Sequence, residues 1–329
     1  MRRWAAFLLA GILSAAGVNA FAQSQPQAGR IYRVGFLAMG SPAVTEPMLG
    51  HFRRAMSELG YVEGRNLVIE QRWTDGTTER LPELAGQLVA AKVDLILAWG
   101  TPPVGAAKQV TKTTPVVMVG VADPIGAGFV PSLAKPGGNL TGVTNLASDH
   151  SGKILELLTQ VVPNVRTMAV LRNPGNAAHA SLLRDVESAA RARQVQLQAF
   201  AASRPDELDA AFASIARAKV EAVVFLADPM FFGQRHRIAE LALRHRVATG
   251  FARRENVDAG GLLAYGPSLS QQIGRAATFV DRILRGAHPS ELPVEQPTRL
   301  EFILNLKTAR ALGLSIPSSI FMRADEVIE

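Results

Sequence analysis

Short apolar runs alternate with longer stretches whose apolar residues recur every three or four positions, over nearly the whole chain after residue 30. Ile31–Leu37 reads as a strand and Gly40-Ser41-Pro42 as its turn. Leu49, Phe52, Met56 and Leu59 then mark one face of a helix that Gly60 ends. Leu67–Trp73 is the next strand, followed by a helix opening near Thr77 with Leu81, Leu84 and Leu88 on one side. Asp94–Trp99 and Pro115–Gly120 are short, continuous runs suited to strands covered on both faces, with a helix starting at Gly100-Thr101-Pro102-Pro103 between them. A turn or short helix over Gly126–Leu133 and the Pro136-Gly137-Gly138 breaker lead to a fifth strand at Leu140–Val143.

The alternation then begins afresh. A helix over Asp149–Val161 turns Ile154, Leu157, Leu158 and Val161 inward. Strands follow at Thr167–Leu171, Val195–Phe200, Ala222–Leu226, Val247–Phe251 and Leu262–Ala264, with helices in the gaps. Two such series predict an α/β protein of two doubly wound, Rossmann-like parallel sheets. A long helix from Leu269 to Arg285, then Pro-containing segments between Pro289 and Pro297, predict that the chain returns to the first lobe and leaves it again, making a multi-strand hinge. The expected lobes are residues 31–147 with about 267–290, and 148–266 with about 291–329.

The start of the chain departs from this pattern. Arg2 and Arg3 precede an apolar run from Trp4 to Val18, and Ala20-Phe21-Ala22 fits a small-x-small cleavage site. Residues 1–22 read as an export signal cleaved after Ala22, and 23–30 as a flexible polar leader. The run is shorter than the roughly 20 residues of a spanning helix. Removing the signal takes away two arginines and no acids, so the formal charge falls from +7 to +5. The chain has no cysteine, which excludes disulfides, thiolate metal sites, cysteine nucleophiles and the lipidated cysteine of a lipoprotein.

The densest basic cluster is Arg235, His236, Arg237, Arg244, His245, Arg246, Arg253 and Arg254. Without an aromatic platform or a DNA-binding helix pair it reads as a solvated helix surface, and no nucleic-acid partner is expected.

In open α/β sheets ligands sit beyond the carboxyl ends of the strands. Polar residues at those ends are the candidate contacts: Ser41, Thr101 and Asp123, then Thr144 and Asn145 at the first hinge crossing, and Asn173, Asn176, Asp228 and Tyr265 from the second lobe. For an amino acid, Ser41 and Thr101 at helix starts suit the carboxylate, because free N–H groups and the positive dipole end favour an anion. Asp228, ahead of Asp123, suits the ammonium group. Each also has a plain structural reading: both aspartates precede proline and fit helix caps, and Asn173-Pro174-Gly175-Asn176 is an ordinary turn. Trp99 and Phe232 lie near the strand ends, where they could stack on an aromatic ligand, although core packing is the commoner fate.

Catalytic readings find less support. No G-x-G-x-x-G follows the first strand, and no P-loop or G-x-S-x-G elbow is present. The histidines His51, His150, His179, His236, His245 and His288 show no i,i+4 pair and no H-E-x-x-H, so neither zinc nor any cofactor is expected. His150 at a helix start reads as solvent-facing rather than as a ligand contact.

The segment Asp123-Pro-Ile-Gly-Ala-Gly-Phe-Val-Pro-Ser-Leu-Ala-Lys-Pro-Gly-Gly-Asn-Leu-Thr-Gly142 resembles the signature of ABC-importer substrate-binding proteins whose characterised members take tryptophan or tyrosine. Further similar segments are Leu171–Asn176, Gly260–Gly266, Leu292–Thr298 and Asn305–Gly313. Arg172 stands where many relatives have an aromatic residue. The resemblance implies a type I periplasmic-binding fold with the ligand between its lobes, no enzymatic activity, a periplasmic location, and an inner-membrane permease with its ATPase as partners of a monomeric protein. An enzyme on the same scaffold and a sensor for a membrane receptor are the alternatives.

Overall fold

The computed structural model describes residues 27, 29–145 and 147–329. The export signal expected over 1–22, and most of the leader, lie outside the described residues. Among the described residues no helix is long and apolar enough to cross a membrane.

The first lobe runs β1 (Tyr32–Met39), α1 (Pro42–Glu58), β2 (Leu67–Thr74), α2 (Leu81–Ala90), β3 (Leu95–Trp99), α3 (Thr101–Val110), β4 (Val116–Val121) and β5 (Leu140–Thr144). Its sheet has the order β2-β1-β3-β4-β5, all parallel, with Val34 opposite both Ile69 and Leu95. β3 is buried throughout, as its Leu-Ile-Leu-Ala-Trp sequence requires of a strand covered by helices on both faces.

The chain then enters the second lobe: α4 (Ala147–Val161), β6 (Thr167–Arg172), α5 (His179–Ala192), β7 (Gln196–Ala201), α6 (Leu208–Arg217), β8 (Ala222–Phe225), α7 (Pro229–Gly233), α8 (Arg235–Arg244), β9 (Ala248–Phe251), α9 (Arg254–Asp258) and β10 (Leu263–Gly266). It returns as α10 (Leu269–Leu284), whose Leu269, Ile273, Ala276, Val280 and Ile283 pack into the first lobe's apolar cluster beside Tyr32, Phe52 and Val117. It ends as β11 (Glu301–Asn305), α11 (Leu306–Leu312), α12 (Ser318–Phe321) and β12 (Glu326–Ile328) on the second lobe.

Here the structure corrects the expected pair of five-stranded parallel sheets. The second sheet has seven strands in the order β12-β11-β10-β9-β8-β6-β7, and β11 runs antiparallel to β10, with Leu263 opposite Leu304. Direction follows from connectivity. β10 leaves its sheet towards the hinge, and β11 re-enters from that same end, so the two must run oppositely. Before it re-enters, the chain lies along β5: Thr141 Oγ1 donates to the Leu292 carbonyl at 2.6 Å, the Glu295 N–H to the Gly142 carbonyl at 2.9 Å, and the Thr144 N–H to the Glu295 carbonyl at 2.8 Å. These bonds keep the chain on the first lobe through Glu295.

Strand order also fixes where a ligand can go. Connections from β1 lead to opposite sides of the first sheet, so a crevice opens between the carboxyl ends of β1 and β3; in the second sheet the equivalent crevice lies between β6 and β8. The two crevices face each other.

Candidate functional site

A cavity of about 40 Å³ lies between the lobes. Trp99, Gly100, Thr101, Gly120 and Asn145 line it from the first lobe, and Asp228, Phe231, Phe232, Arg253 and Asn256 are among its lining from the second. The lobes meet closely around it. A Cβ on Gly100 would collide with Pro229, and one on Gly120 would sit 2.8 Å from Arg253 Nη2. Both glycines have positive φ, +86° and +65°, which ordinary side chains avoid. Trp99 and Phe232 pack edge to face across the lobes with centroids 5.0 Å apart, and the Arg235 guanidinium lies 5.0 Å from the Phe232 ring centre. At the rim, Ser181 Oγ donates to Asp123 Oδ2 at 3.1 Å.

Asp228 is the centre of the second lobe's half of the site. It follows β8 by three residues and occupies the N-cap of α7, its Oδ1 accepting the Met230 N–H at 2.8 Å. That is the capping geometry its Asp-Pro sequence allows. Asn173 Nδ2 donates to both carboxylate oxygens at 3.3 and 3.2 Å, and Asn176 Nδ2 donates to Oδ2 at 2.8 Å. The amide oxygens of these asparagines accept the Gly175 and Ala178 N–H groups, so the β6–α5 turn presents both amides to one carboxylate.

His179 supports this arrangement. Its Nδ1 accepts the Asn173 N–H at 2.8 Å, which leaves Nε2 to donate to the Ala227 carbonyl at 3.2 Å. Burial, the largest effect, lowers its pKa although Asp228 lies 3.9 Å away.

The first lobe's half is different in kind. Thr101 opens α3, and its Oγ1 accepts the Ala122 N–H at 3.4 Å. The Asn145 N–H donates to the Val121 carbonyl at 2.7 Å. Among the described residues, its Oδ1 and the Thr144 hydroxyl are buried without a partner. Of the expected contacts only Thr101, Asn145 and Asp228 line the cavity; Thr144, Asn173 and Asn176 lie behind that lining, and Ser41, Asp123 and Tyr265 stand apart from it. Ser41 caps α1 in position only, its hydroxyl making no capping bond. Asp123 Oδ1 accepts the Gly126 N–H at 2.8 Å as a turn residue. Tyr265 packs edge to face on His150, with ring centres 6.1 Å apart.

Two expectations are overturned. Arg253, assigned to a solvated basic surface, is only 7 % exposed and lines the cavity. It stands two residues beyond β9, and its position at a strand end carries it inward, whereas Arg237 and Arg254 pair with surface carboxylates. Arg253 Nη1 donates to Gln272 Oε1 at 2.7 Å, and Gln272 Nε2 donates to the Thr144 carbonyl at 2.8 Å, linking both lobes to the first hinge crossing. His150, read as solvent-facing, is fully buried. Loss of hydration, reinforced by the Arg253 charge, pushes its pKa down to about 4, and neither ring nitrogen has a partner among the described residues. Sequence position also passed over Gln272 and Asn256.

Among the described residues no group of three or more histidine and carboxylate side chains converges as a metal site would require. What the cavity offers is recognition: a carboxylate saturated with N–H donors, a guanidinium, aromatic faces and backbone close to both.

The architecture, two α/β lobes with a cavity between them, is that of the type I periplasmic-binding fold. The family model for ABC transporter substrate-binding proteins matches residues 39–328, and the chain belongs to that family, whose members bind rather than transform their solutes. It is 26% identical over 278 residues to a tyrosine-binding protein of Clostridioides difficile, covering 84% of this chain and 80% of that one. A conserved domain protein of Vibrio cholerae superposes with a TM-score of 0.85 at 25% identity, covering 91% of this chain and all of the other. An ABC domain of Streptococcus pneumoniae in complex with L-Trp gives 0.82 at 25% identity, with the same coverage.

Proposed function

We propose that this protein is the periplasmic solute-binding component of an ABC importer, closing its lobes on a free amino acid and handing it to an inner-membrane permease energised by a cytoplasmic ATPase. The observation that carries this reading is the shared cavity, where Asp228 of one lobe faces the indole, threonine and helix start of the other. Asp228 draws the ligand's ammonium group by charge, and Trp99 and Phe232 give an apolar side chain its surface. Thr101 and Asn145 are polar neighbours in the lining, Asn173 and Asn176 hold Asp228 from behind, and Thr144, Ser41, Asp123 and Tyr265 are left as outer positions around the strand ends.

The tyrosine and L-Trp named for the relatives make aromatic amino acids the first solutes to test. A cavity of about 40 Å³ is far below the roughly 300–1,000 Å³ of ordinary ligand pockets, so an aromatic side chain needs Trp99 and Phe232 to part. The lobes so used comprise 31–147 with about 267–295, and 148–266 with about 296–329, the second boundary lying beyond the expected 290 because Leu292 and Glu295 bond to β5. The signal is cleaved after Ala22, and the protein acts as a monomer.

The test is a thermal-shift and calorimetric screen of the purified exported protein against each L-amino acid. A solute at a hundredfold over its dissociation constant stabilises by about 2.7 kcal/mol, enough to move the midpoint by several degrees. Stabilisation by a single group of amino acids is the expected result. Stabilisation only by sugars or nucleosides, or turnover of any of these solutes, overturns it.

A further inference from the structure

We propose that Arg253 is the anchor for the ligand's carboxylate, and that the site therefore selects a carboxylate-bearing solute first and reads its amine second. This rests on the amino-acid reading above and changes which contacts carry it: Ser41 lies outside the cavity lining, and the Thr101 hydroxyl, held in place by the Ala122 N–H it accepts, offers a carboxylate one neutral donor where Arg253 offers a charge.

Three observations converge on Arg253. Its side chain is enclosed between the lobes and lines the cavity, yet no carboxylate of the described residues comes within ion-pair distance of it. An unpaired enclosed cation is costly to keep, and a ligand anion is what relieves it. Second, Gln272 engages only Nη1, while Nη2 lies against Gly120 and makes no hydrogen bond to the described residues. Gly120 leaves room for a guanidinium that any side chain there would displace. Third, the opposite charge in the cavity is already served: the Asp228 oxygens accept from Met230, Asn173 and Asn176. Of the two charged groups lining the cavity, Arg253 is the one with unused hydrogen-bonding capacity among the described residues. A planar guanidinium matches a carboxylate with two parallel N–H donors.

The placement also ties recognition to closure. Arg253 belongs to the second lobe, whereas Gln272 and Gly120, which hold it, belong to the first. A carboxylate bound to Arg253 thus acts at the seam that closes.

The experiment compares wild type, Arg253→Gln and Arg253→Lys for binding of four probes: L-tryptophan, L-tryptophanamide, indole-3-propionate and acetate. In wild type the amide should bind at least 100-fold more weakly than the acid, while indole-3-propionate, which lacks the amine, loses no more than about tenfold. Arg253→Gln should weaken L-tryptophan and indole-3-propionate at least 100-fold and leave the amide unchanged. Arg253→Lys, keeping charge without the fork, should recover part of the loss. Without ligand, Arg253→Gln should melt within about 2 °C of wild type, the lost Gln272 bond being offset by removal of an unpaired charge, while ligand binding falls; this separates a binding role from a merely structural one.

Binding of L-tryptophan by Arg253→Gln within threefold of wild type, or equal binding of acid and amide, overturns the assignment. Should no amino acid bind wild type, the amino-acid reading falls by itself, and acetate and indole-3-propionate still decide: millimolar or tighter binding lost in Arg253→Gln upholds the anchor, and its absence refutes it.

Discussion

The two halves of the cleft solve different problems. The second lobe's half is a prebuilt polar lattice: Asn173, Asn176, His179 and the α7 start converge on Asp228 with their hydrogen bonds already made. The first lobe's half is neutral and spare, with two positive-φ glycines, an indole and polar atoms such as Asn145 Oδ1 left unpaired. One lobe therefore carries charge in a fixed geometry, and the other gives that geometry room to approach. Specificity fixed in one lobe can be read by whichever solute makes the other lobe close, which is selection between states by differential contacts.

The sharpest way to break this contrast is Asp228→Ala. It strands three buried donors at once, each costing about 1–3 kcal/mol when unsatisfied. Urea unfolding should show a loss of about 3 kcal/mol or more, even with no solute present. Thr101→Val in the first lobe strands a single donor, the Ala122 N–H, whose bond is already long at 3.4 Å, and should cost about 1 kcal/mol, the low end of that range. Equal losses at the two positions would show that neither half is prebuilt.

How much of this contrast was legible in the sequence depends on what made each feature. Strands with buried, β-branched runs fall within two residues of their expected ends, because local pattern and tertiary position agree there. β11 escaped because Glu301–Asn305 runs directly into α11, so its apolar residues merge with a helical period. Arg253 was within reach: the rule that picks polar residues just past strand ends selects it as readily as Asp228, but its neighbours Arg254 and Arg246 disguise it as part of a surface run. His150 was also within reach, since it lies four residues before Ile154 on the face that α4 buries. The Trp99–Phe232 contact was not, because it exists only once two lobes far apart in sequence have met.

Acid sharpens the comparison next, through His150 beside the hinge. Its folded pKa of about 4 lies below the ordinary 6.5, so between those values the unfolded chain binds the additional proton. Stability from this group is complete above pH 6.5 and is lost as pH falls towards 4, by about 3 kcal/mol in all. His179 is displaced in the same direction and adds to the slope. Denaturant midpoints from pH 7 to 4.5 should therefore fall steeply in wild type and less steeply in His150→Leu. An unchanged slope in the variant would place the acid sensitivity in His179 instead.

The smallest effect should come from Ser181→Ala at the rim, and it isolates closure from architecture. Ser181 Oγ bridges to Asp123 across the lobes in a half-buried position, so the bond contributes about 1 kcal/mol at most and only while the lobes are together. A solute meets the protein before the rim contact forms, so its association rate should stay as it is. Dissociation requires that contact to break, and should quicken by about fivefold at most, the factor that 1 kcal/mol allows. The melting midpoint without solute should move by no more than about 1–2 °C, unlike that of Asp228→Ala. Stopped-flow traces with a binding solute separate the two rates. A slower association in Ser181→Ala would mean that the rim is already joined when the solute arrives, and that the first lobe's open surface is not the receiving half.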